Sequence, residues 1–471
     1  MTHSTLRSPV TWLLALIVIQ PVLDVLSYWL NASGSENTLT LALRLLLLLL
    51  ITCGTGFLMA PHKRPYYITG GILLLLVLGH IAACLQYGYG QPLRDLTNLV
   101  RIFLLPLTTL SFITFLQVWP ELRAKIPGAF FLCLVMILLV QLLSTVTGTD
   151  PHTYANKSIG VLGWFYFANS QSAILTMLVP VSIVYAWHRW PGAIAAGLCS
   201  LIGMGMLFLF ATRLAYLGCL AVGAALGLCF LLHRNKALGL WLLVLTLVFG
   251  AMLPISPMAK NQKLVAENAI LKQEDIDTMT MADTAAAEAH GLTGDQLRLA
   301  QLEHSYETYL PGLVEHFGLQ RTAEAYSYST RASDICDVRR ARITYSRLLL
   351  EDSPTLSKFF GMELSRWDSS SGSYDVENDL HGIFFLCGGA GLCLILIFFG
   401  YFIVAVLCCL FRYRAKLLTP DFVALCTALI LCGAHVYATA GVLRRPNAAF
   451  YLAVCLAMLW QDAKPPHMKE T

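Results

Sequence analysis

The chain has 471 residues, of which 57% are hydrophobic and 13% are charged, and its net charge is +4. Soluble globular proteins carry about 25% charged and about 45–50% apolar residues. The composition therefore excludes a disordered chain, a basic nucleic-acid-binding domain and an ordinary cytosolic enzyme. It predicts an all-α polytopic membrane protein, whose partners include membrane lipid and no nucleic acid.

Crossing the hydrocarbon core of a bilayer, about 30 Å thick, takes about 20 apolar residues in a helix. Twelve segments come close to this requirement, and the shortest are the sixth to eighth and the last. In chain order, they cover residues 10–32, 38–60, 67–88, 99–119, 129–149, 172–188, 193–212, 214–233, 238–256, 383–410, 418–443 and 447–460. The sequence thus predicts about twelve transmembrane helices, nine within residues 1–256 and three within residues 380–471.

Lys and Arg in the short connections predict the orientation, because they concentrate on the cytoplasmic side. One set of chain ends and connections carries Arg7, Lys63, Arg64, Arg123, Lys125, Arg189, Arg234, Lys236, Arg412, Arg414, Lys416, Lys464 and Lys469. The other set carries only Arg94, Arg101, Lys157, Arg213, Arg444 and Arg445. Both termini are therefore expected in the cytoplasm. The first span has no convincing cleavage site, so we expect it to be retained rather than removed as a signal peptide.

Residues 257–379 form a long, extracytoplasmic, acidic loop between the ninth and tenth spans. They hold 20 of the 28 acidic residues and 12 of the 32 basic ones, a net charge of −8 against +12 for the rest of the chain. The apolar spacing predicts one helix from Thr293 to about Phe317. A second helix is expected over about 339–352, where Pro354 ends it. The loop is therefore expected to be mainly helical.

Two ionisable residues lie at similar depths in the first two spans. Asp24 is roughly eight residues from the outer end of its span, and Arg44 is roughly six from the outer end of the next. Charged groups inside a bilayer are costly and are usually paired or functional. We expect an Asp24–Arg44 ion pair, which either packs two antiparallel helices together or takes part in substrate binding.

Five arginines expected on the outer side have the chemistry to bind phosphate. Arg213 lies where the seventh and eighth spans meet, and Arg339, Arg340, Arg342 and Arg347 cluster in the loop. A guanidinium group presents its donors in a fixed fork that fits phosphate oxygens. The alternatives are a snorkelling Arg213 that reaches the lipid headgroups and a solvated basic helix face in the loop.

Two carboxylates and an imidazole stand where the chain returns to the membrane. Glu377 and Asp379 precede His381, and a glycine-rich stretch over residues 388–391 follows. A carboxylate or imidazole at such a site can act as a base, although Asp379 can equally be a helix N-cap. No P-loop, Rossmann or metal motif accompanies them. Arginines for an anion, together with a base, suggest group transfer from a phosphorylated lipid on the outer face.

Five motifs follow one another over nearly the whole chain. They are Gln20-Pro-Val-Leu-Asp24, Gly163-Trp-Phe-Tyr-Phe-Ala-Asn169, Ala211-Thr-Arg213 through Gly218, Lys358-Phe-Phe-Gly361, and Glu377-Asn-Asp379 through Gly388 and Gly391. Each motif is weak alone. As an ordered set with a long loop after the ninth span, they resemble the O-antigen ligase and O-antigen polymerase superfamily, most closely its O-antigen ligase-like members from Gram-positive bacteria.

The resemblance implies a GT-C-like fold in the bacterial cytoplasmic membrane. It implies an inverting glycosyltransferase that moves a glycan from an undecaprenyl-diphosphate carrier to an acceptor hydroxyl at the outer face, without a metal or another cofactor. The acceptor belongs to a glycan, a lipid or the cell wall. Family members are either ligases, which attach the glycan to another molecule, or polymerases, which extend the glycan itself. Both activities stay open.

The resemblance also assigns roles to residues. Arg213 falls where the family places a basic residue against the donor diphosphate, and spacing to Gly361 favours Arg339 or Arg340 as its loop arginine. The best-known members carry His-Asn where this chain has Glu377-Asn378, so Glu377 is expected to be the substituted base or to orient the acceptor.

His381 is the alternative base, and one helical turn from Glu377 would place both side chains on the same face if that segment is helical. Trp164 and Tyr166 are expected either to stack on sugar rings or to form part of an interfacial aromatic belt. Further substrate contacts are expected from Arg342, Asp379, His381, Trp164, Asn169 and Lys157.

Two other functions are compatible with the sequence. Twelve spans with cytoplasmic termini also suit a transporter or flippase of lipid-linked oligosaccharide, although no internal repeat of broken helices is visible. A receptor or assembly scaffold, whose loop binds partners without chemistry, is the third possibility. Product formation from a lipid-linked donor and an acceptor distinguishes the enzyme from both.

Overall fold

The computed structural model describes residues 8–34, 38–190, 192–233, 235–370, 372–412 and 419–463. Helices dominate this part of the chain, and the strands β1 (Asp368–Ser369) and β2 (Gly372–Ser373) form one short antiparallel pair. The α-helices are α1 (Pro9–Ala32), α2 (Thr38–Leu46), α3 (Thr55–Met59), α4 (Arg64–Tyr87), α5 (Pro92–Val118), α6 (Leu122–Val146), α7 (Ala168–Arg189), α8 (Ala193–Leu209), α9 (Arg213–Leu232), α10 (Lys236–Ala251), α11 (Pro257–Ala289), α12 (Gly294–Ala300), α13 (Glu303–Tyr309), α14 (Pro311–Phe317), α15 (Leu319–Ala325), α16 (Ala332–Ile335), α17 (Val338–Asp352), α18 (Thr355–Phe360), α19 (Asp379–Arg412), α20 (Pro420–Ala438) and α21 (Pro446–Ala463). The predicted all-α polytopic fold is confirmed.

Nine helices in the described ranges are long and apolar enough to cross a membrane. A π-helical stretch, Leu47–Gly54, joins α2 to α3, so that together they make one of these nine. Helices α8 and α10 are apolar but have only 17 and 16 residues. Helix α21 has 18 residues, of which 13 are buried inside the protein. Each of the twelve predicted segments thus coincides with a helix, and a count of twelve spans stays a prediction.

The orientation also stays a prediction. Part of its basis, namely Arg7, Arg234, Arg414, Lys416, Lys464 and Lys469, lies outside the described residues. The boundaries at residues 256 and 379 follow the expected path of the chain through the membrane and stay predictions in the same way. Arg101, which sequence reasoning counted with the outer connections, lies ten residues into the 27-residue helix α5 and is partly buried.

The chain divides into two compact units. The first comprises Met1–Leu73, Val100–Asn261 and Leu394–Thr471, and the second comprises Leu74–Leu99 and Gln262–Cys393. In the first unit, α7 packs against α6, α8, α9, α20 and α21 and is buried along most of its length. Most buried polar groups in proteins have a hydrogen-bond partner.

One set of partners on α7 is a buried chain of hydroxyl and imidazole groups. Ser172 Oγ lies 3.1 Å from Thr212 Oγ1, which precedes α9, and 2.9 Å from His435 Nε2 on α20. The first unit also contains the predicted ion pair, because Arg44 Nη2 lies 2.8 Å from Asp24 Oδ1 with both residues buried. The Asp24–Arg44 prediction is therefore confirmed.

The second unit contains most of the long loop, which is helical as expected but differs in detail. The single helix expected over 293–317 is wrong, because the chain there forms α12, α13 and α14, and Pro311 begins the last of them. The helix expected over 339–352 is confirmed as α17, which ends before Pro354. The 33-residue helix α11 was not predicted, since few of its side chains are buried and no apolar stripe marks it.

Candidate functional site

In the second unit, the segment that leads towards α19 crosses that helix at very short range. Gly361 and Gly388 both adopt positive φ angles, 87° and 67°. A Cβ atom on Gly361 would overlap the backbone of Leu386, and one on Gly388 would overlap the backbone of Phe359. Only glycine combines this backbone conformation with so close an approach. Gly361 and Gly388, which belong to two of the sequence motifs, therefore allow the two backbone segments to cross this closely next to the expected site.

A buried polar cluster anchors the same segment to α4 and α5. His80 Nε2 lies 2.7 Å from Asp95 Oδ2, and His80 Nδ1 lies 2.8 Å from the Phe360 carbonyl oxygen. The backbone N–H of Leu364 donates to Asp95 Oδ1 at 3.3 Å. The two ring nitrogens of His80 thus bridge the Asp95 carboxylate and the Phe360 carbonyl oxygen. We refer to His80 and Asp95 as the anchor pair.

Cys84 gives this cluster the composition of a metal site. Its Sγ lies 3.3 Å from His80 Nε2, and the ligand atoms of His80, Cys84 and Asp95 lie within 4.8 Å of one another. A metal requires a neutral imidazole with a free lone pair. Both nitrogens of His80 are already engaged, so the geometry favours a structural ion pair.

Glu363 and Arg366 add two further anchors. The buried Glu363 carboxylate accepts a hydrogen bond from Gly90 N at 2.7 Å, just before α5. Arg366 Nη2 donates to the Tyr87 carbonyl oxygen at 2.6 Å. The residues from 360 to 366 are thus tied to the α4–α5 connection at several points, which holds the chain that leads to Glu377.

Glu377, the expected base, contacts two of the predicted loop arginines. Arg342 Nη1 donates to Glu377 Oε1, and Arg339 Nε lies 3.7 Å from Glu377 Oε2. Residues three apart share one side of a helix, so α17 presents Arg339 and Arg342 together. The Glu377 side chain is 43% exposed. The structure therefore brings a reachable carboxylate and two guanidinium groups together.

Arg340 faces a different partner. Its Nη1 donates to Asp334 Oδ1, and its guanidinium carbon lies 5.0 Å from the centre of the Tyr326 ring. The Ser329 hydroxyl, which donates to Asp334 Oδ2 at 2.6 Å, and the Arg340 guanidinium hold the pKa of Asp334 below its usual value. Burial raises the pKa of Tyr326 to about 12, so this phenol stays neutral. Of the two arginines favoured by spacing, only Arg339 approaches Glu377.

The start of α19 differs from two expectations about Glu377, Asp379 and His381. The helix begins at Asp379, so Glu377 lies outside it and the helical turn that would align Glu377 with His381 does not form. The cap is Asn378, whose Oδ1 accepts from His381 N at 3.1 Å. The alternative role of Asp379 as N-cap is therefore wrong, and Asp379 is a fully buried residue of the first turn. The His381 side chain is exposed.

In the first unit, Arg213 is the first residue of α9. Thr212 caps this helix by accepting from Ala215 N at 3.1 Å, and Ala211 before it has φ 69°, a strained value for a residue with a side chain. The Arg213 side chain is exposed, and among the described residues it forms no hydrogen bond or ion pair. Its guanidinium is therefore available to an anionic ligand.

The connection between α6 and α7 folds around Asp150, also in the first unit. Asp150 Oδ1 accepts from Gly163 N at 2.7 Å, which fixes the motif that begins at Gly163. Trp164 Nε1 donates to Thr149 Oγ1 at 2.9 Å, and its ring packs edge-on against Trp29 with centroids 5.4 Å apart. The Trp164 side chain is thus held in place by neighbours.

The remaining predicted contact residues are separate from one another. Lys157 Nζ donates to Asn261 Oδ1 at 2.9 Å, so its ammonium already has a partner. Asn169 is the second residue of α7 and is partly buried, next to Gly441. In the described part of the first unit, no hydrogen bond or ion pair joins Lys157 or Asn169 to Arg213.

Sequence reasoning missed a cavity of about 310 Å³ within the first unit. Arg44, Arg101 and Arg445 contribute to its wall. Arg101 and Arg445 had served only to indicate orientation, although the depth of Arg101 in α5 is a signal that could have singled it out. The wall comes from distant parts of the chain, which no local pattern connects.

The comparisons with known proteins agree with this architecture. A family model described as O-antigen ligase like membrane protein matches residues 9–464. None of the curated proteins matches the chain significantly. Family membership makes the chain a multi-pass membrane enzyme of surface polysaccharide biosynthesis, with a lipid-linked glycan as donor and a glycan acceptor. The chain belongs to the O-antigen ligase-like membrane protein family.

Proposed function

We propose that the protein transfers a glycan from an undecaprenyl-diphosphate carrier to an acceptor hydroxyl at the outer face of the bacterial cytoplasmic membrane. The observation that carries the proposal is the contact of Glu377 with Arg342 and Arg339 just before α19. This contact brings a carboxylate, which we propose as the base, next to two guanidinium groups of the kind that bind phosphate, in a chain whose family acts on lipid-linked glycans.

Glu377 is proposed as the base. Its carboxylate accepts the proton of the acceptor hydroxyl as the oxygen attacks the anomeric carbon, and attack in line with the leaving group inverts that carbon. Proton transfer of this kind contributes about 10²–10⁴ to a rate. The exposure of Glu377 supports access for an acceptor, and its arginine partners hold the carboxylate in one place.

The arginines are proposed to stabilise the leaving diphosphate. Bond cleavage at the anomeric carbon leaves the electron pair on the carrier diphosphate, and guanidinium donors aimed at that charge lower the barrier. Arg213 has its guanidinium available, and Arg339 and Arg342 share the Glu377 carboxylate. Charge neutralisation by arginines can thus fill the role that a metal has in other transferases.

The test is transfer by the purified full-length protein in detergent, with a lipid-linked glycan donor and an acceptor glycan. We expect Glu377→Gln to lower the rate about 10²–10⁴-fold and Arg213→Ala about 10²–10³-fold. Glu351→Gln is the matched control, because Glu351 is also half-exposed and lies 3.6 Å from both Arg321 and Arg347. Normal transfer by both site variants, or an equal loss in the control, contradicts the proposal.

The same assay separates the other readings. A flippase moves the donor across vesicle membranes without forming a new glycosidic bond, and a scaffold does neither. Product that grows by repeated donor units indicates a polymerase, and a single addition to a different acceptor indicates a ligase. A donor in which the diphosphate is replaced by a monophosphate tests the leaving group, and we expect a lower rate with it.

A further inference from the structure

Ser172 on α7 lies at the centre of a hydrogen-bonded chain that ends in the first turn of α9. Its Oγ lies 2.9 Å from His435 Nε2 and 3.1 Å from Thr212 Oγ1. Thr212 Oγ1 in turn accepts from the backbone N–H of Ala215 at 3.1 Å. We refer to Ser172, Thr212 and His435 as the polar chain. All three residues are buried, so the loss of one group costs its neighbour a hydrogen bond that water does not replace.

The partners at the two ends of the polar chain set the direction of its hydrogen bonds. His435 Nδ1 lies 2.9 Å from the Leu431 carbonyl oxygen, which can only accept, so Nδ1 carries a proton. In the described ranges no ion pair involves His435, and a buried charge without one is costly, so the ring is neutral. Its Nε2 then accepts from the Ser172 hydroxyl, and Ser172 Oγ accepts from the Thr212 hydroxyl. Each donor thus has its own acceptor.

Two glycines let the neighbouring segments come this close to α7. A Cβ atom on Gly218 of α9 would lie 2.8 Å from Thr176 Cγ2, and one on Gly441, after α20, would lie 2.8 Å from Asn169 Cβ. Both distances are shorter than real Cβ contacts, so a side chain at either position would push the segments apart. Gly218 and Asn169 each end one of the five sequence motifs. Two motifs therefore meet at the polar chain.

The polar chain ends at a strained corner next to Arg213. Ala211 is buried and has φ 69°, and just before it the Leu209 carbonyl oxygen accepts from the backbone N–H of Val161 at 3.1 Å. A residue keeps such a conformation only while its surroundings hold it there. The next residue, Thr212, is held by the polar chain. Arg213 has no hydrogen bond or ion pair of its own among the described residues, so its position follows from the backbone of Thr212.

We propose that Ser172, Thr212 and His435 are positioning residues for Arg213 and set the place from which its guanidinium reaches the reacting group. The inference rests on the proposed function, in which Arg213 stabilises the leaving diphosphate. Stabilisation of a developing charge requires a donor held within hydrogen-bond distance of it, and a misplacement of about 1 Å can lower a rate about 10²-fold. Loss of one hydroxyl from the polar chain lets the strained corner relax, and the guanidinium moves with it.

The experiment is a double-mutant cycle on kcat for glycan transfer by the purified full-length protein, with a lipid-linked donor and an acceptor glycan. Ser172→Ala removes the central hydroxyl with little change in volume. We expect it to lower kcat about 10–10²-fold in the unsubstituted chain and less than about twofold in Arg213→Ala, where no guanidinium is left to position. Ser182→Ala is the matched control and should leave kcat unchanged. Ser182 is also buried on α7, and its Oγ has no hydrogen-bond partner among the described residues.

The cycle separates a positioning role from a purely stabilising one. Ser172→Ala that lowers kcat by the same factor in both backgrounds overturns the inference, as does an unchanged kcat in Ser172→Ala or an equal loss in Ser182→Ala. A normal rate in Arg213→Ala refutes the proposed role of Arg213 and the inference with it, so the two failures are distinguishable.

A second pair of variants serves if Ser172→Ala does not fold. Thr212→Ser keeps the hydroxyl and should keep kcat, whereas Thr212→Val removes it at nearly the same shape and should lower kcat in the unsubstituted chain but not in Arg213→Ala. Equal rates in Thr212→Ser and Thr212→Val overturn the inference, and so does a loss in Thr212→Val that is the same in both backgrounds.

Discussion

Substitution of Gly388 tests how the second unit positions the residues before α19. Gly388 adopts φ 67° and ψ −174°, a region that is essentially restricted to glycine and costs another residue about 1–3 kcal/mol. An alanine Cβ there would also overlap the backbone of Phe359, which a rotamer change cannot relieve. Gly389 is helical. A Cβ atom added there would lie 3.7 Å from the Lys358 carbonyl oxygen, which is an ordinary van der Waals distance.

Gly388→Ala is therefore expected to destabilise the protein and Gly389→Ala is not. Domains of about 150–250 residues lose about 2–4 °C of Tm per kcal/mol, and the second unit has roughly 160 residues, so we expect Tm to fall by about 2–12 °C. Glycine-to-alanine changes inside a helix are worth up to about 1 kcal/mol in favour of alanine, so Tm of Gly389→Ala should stay or rise.

The measurement is the fraction of purified protein that elutes as a monodisperse peak after heating in detergent. Both variants are read against the unsubstituted chain at one detergent concentration. Equal losses of Tm in the two variants would refute the reasoning, because the local backbone geometry would then not matter. An unchanged Tm in Gly388→Ala would refute it as well.

Three further predictions concern buried and exposed ion pairs. Asp24→Asn leaves Arg44 buried without its partner and should lower the free energy of unfolding by about 3–5 kcal/mol. Exchanging the two charges should partly restore Tm, and no recovery in that double variant argues against the pair. His80→Phe removes the partner of the buried Asp95 carboxylate at a similar cost in stability. We expect faster trypsin cleavage between α18 and α19, and unchanged cleavage argues against the anchor pair. Hydrogen bonds from Arg321 hold the pKa of Asp352 below its usual value, so its stabilisation is present above about pH 4 and lost as pH falls through the lower folded pKa. The Tm difference between the chain and Asp352→Asn should therefore exist at pH 7 and disappear in acid; a difference that grows in acid contradicts this sign.

Local and one-dimensional features were accessible from the sequence. An apolar stretch of about 20 residues can satisfy its backbone in lipid only as a helix, so the helical membrane fold followed from composition. The end of helix α17 followed from Pro354, which cannot continue a helix. The Asp24–Arg44 pair could be predicted because both residues lie at similar depths in two neighbouring antiparallel spans, and depth follows from position along the sequence.

Several expectations at the site depended on geometry that no local pattern contains. The spacing that favoured Arg339 and Arg340 equally could not reveal that Arg340 turns to Asp334, six residues earlier, while Arg339 turns to Glu377. The sequence left open whether the segment at Glu377 is helical, and the structure decides it, because Asn378 caps the helix after Glu377. Local competition for backbone donors decides such boundaries.

Composition, hydropathy and ordered motifs by themselves determined the fold class and the family, because lipid as solvent allows few backbone solutions. Only the tertiary structure decided which charged groups meet. The anchor pair joins α4 to α5, Glu377 meets residues 35 and 38 positions earlier, and the basic cavity draws its wall from segments more than 400 residues apart. Packing brings these groups together at atomic distances, and a pairing between distant residues leaves no periodicity in the sequence.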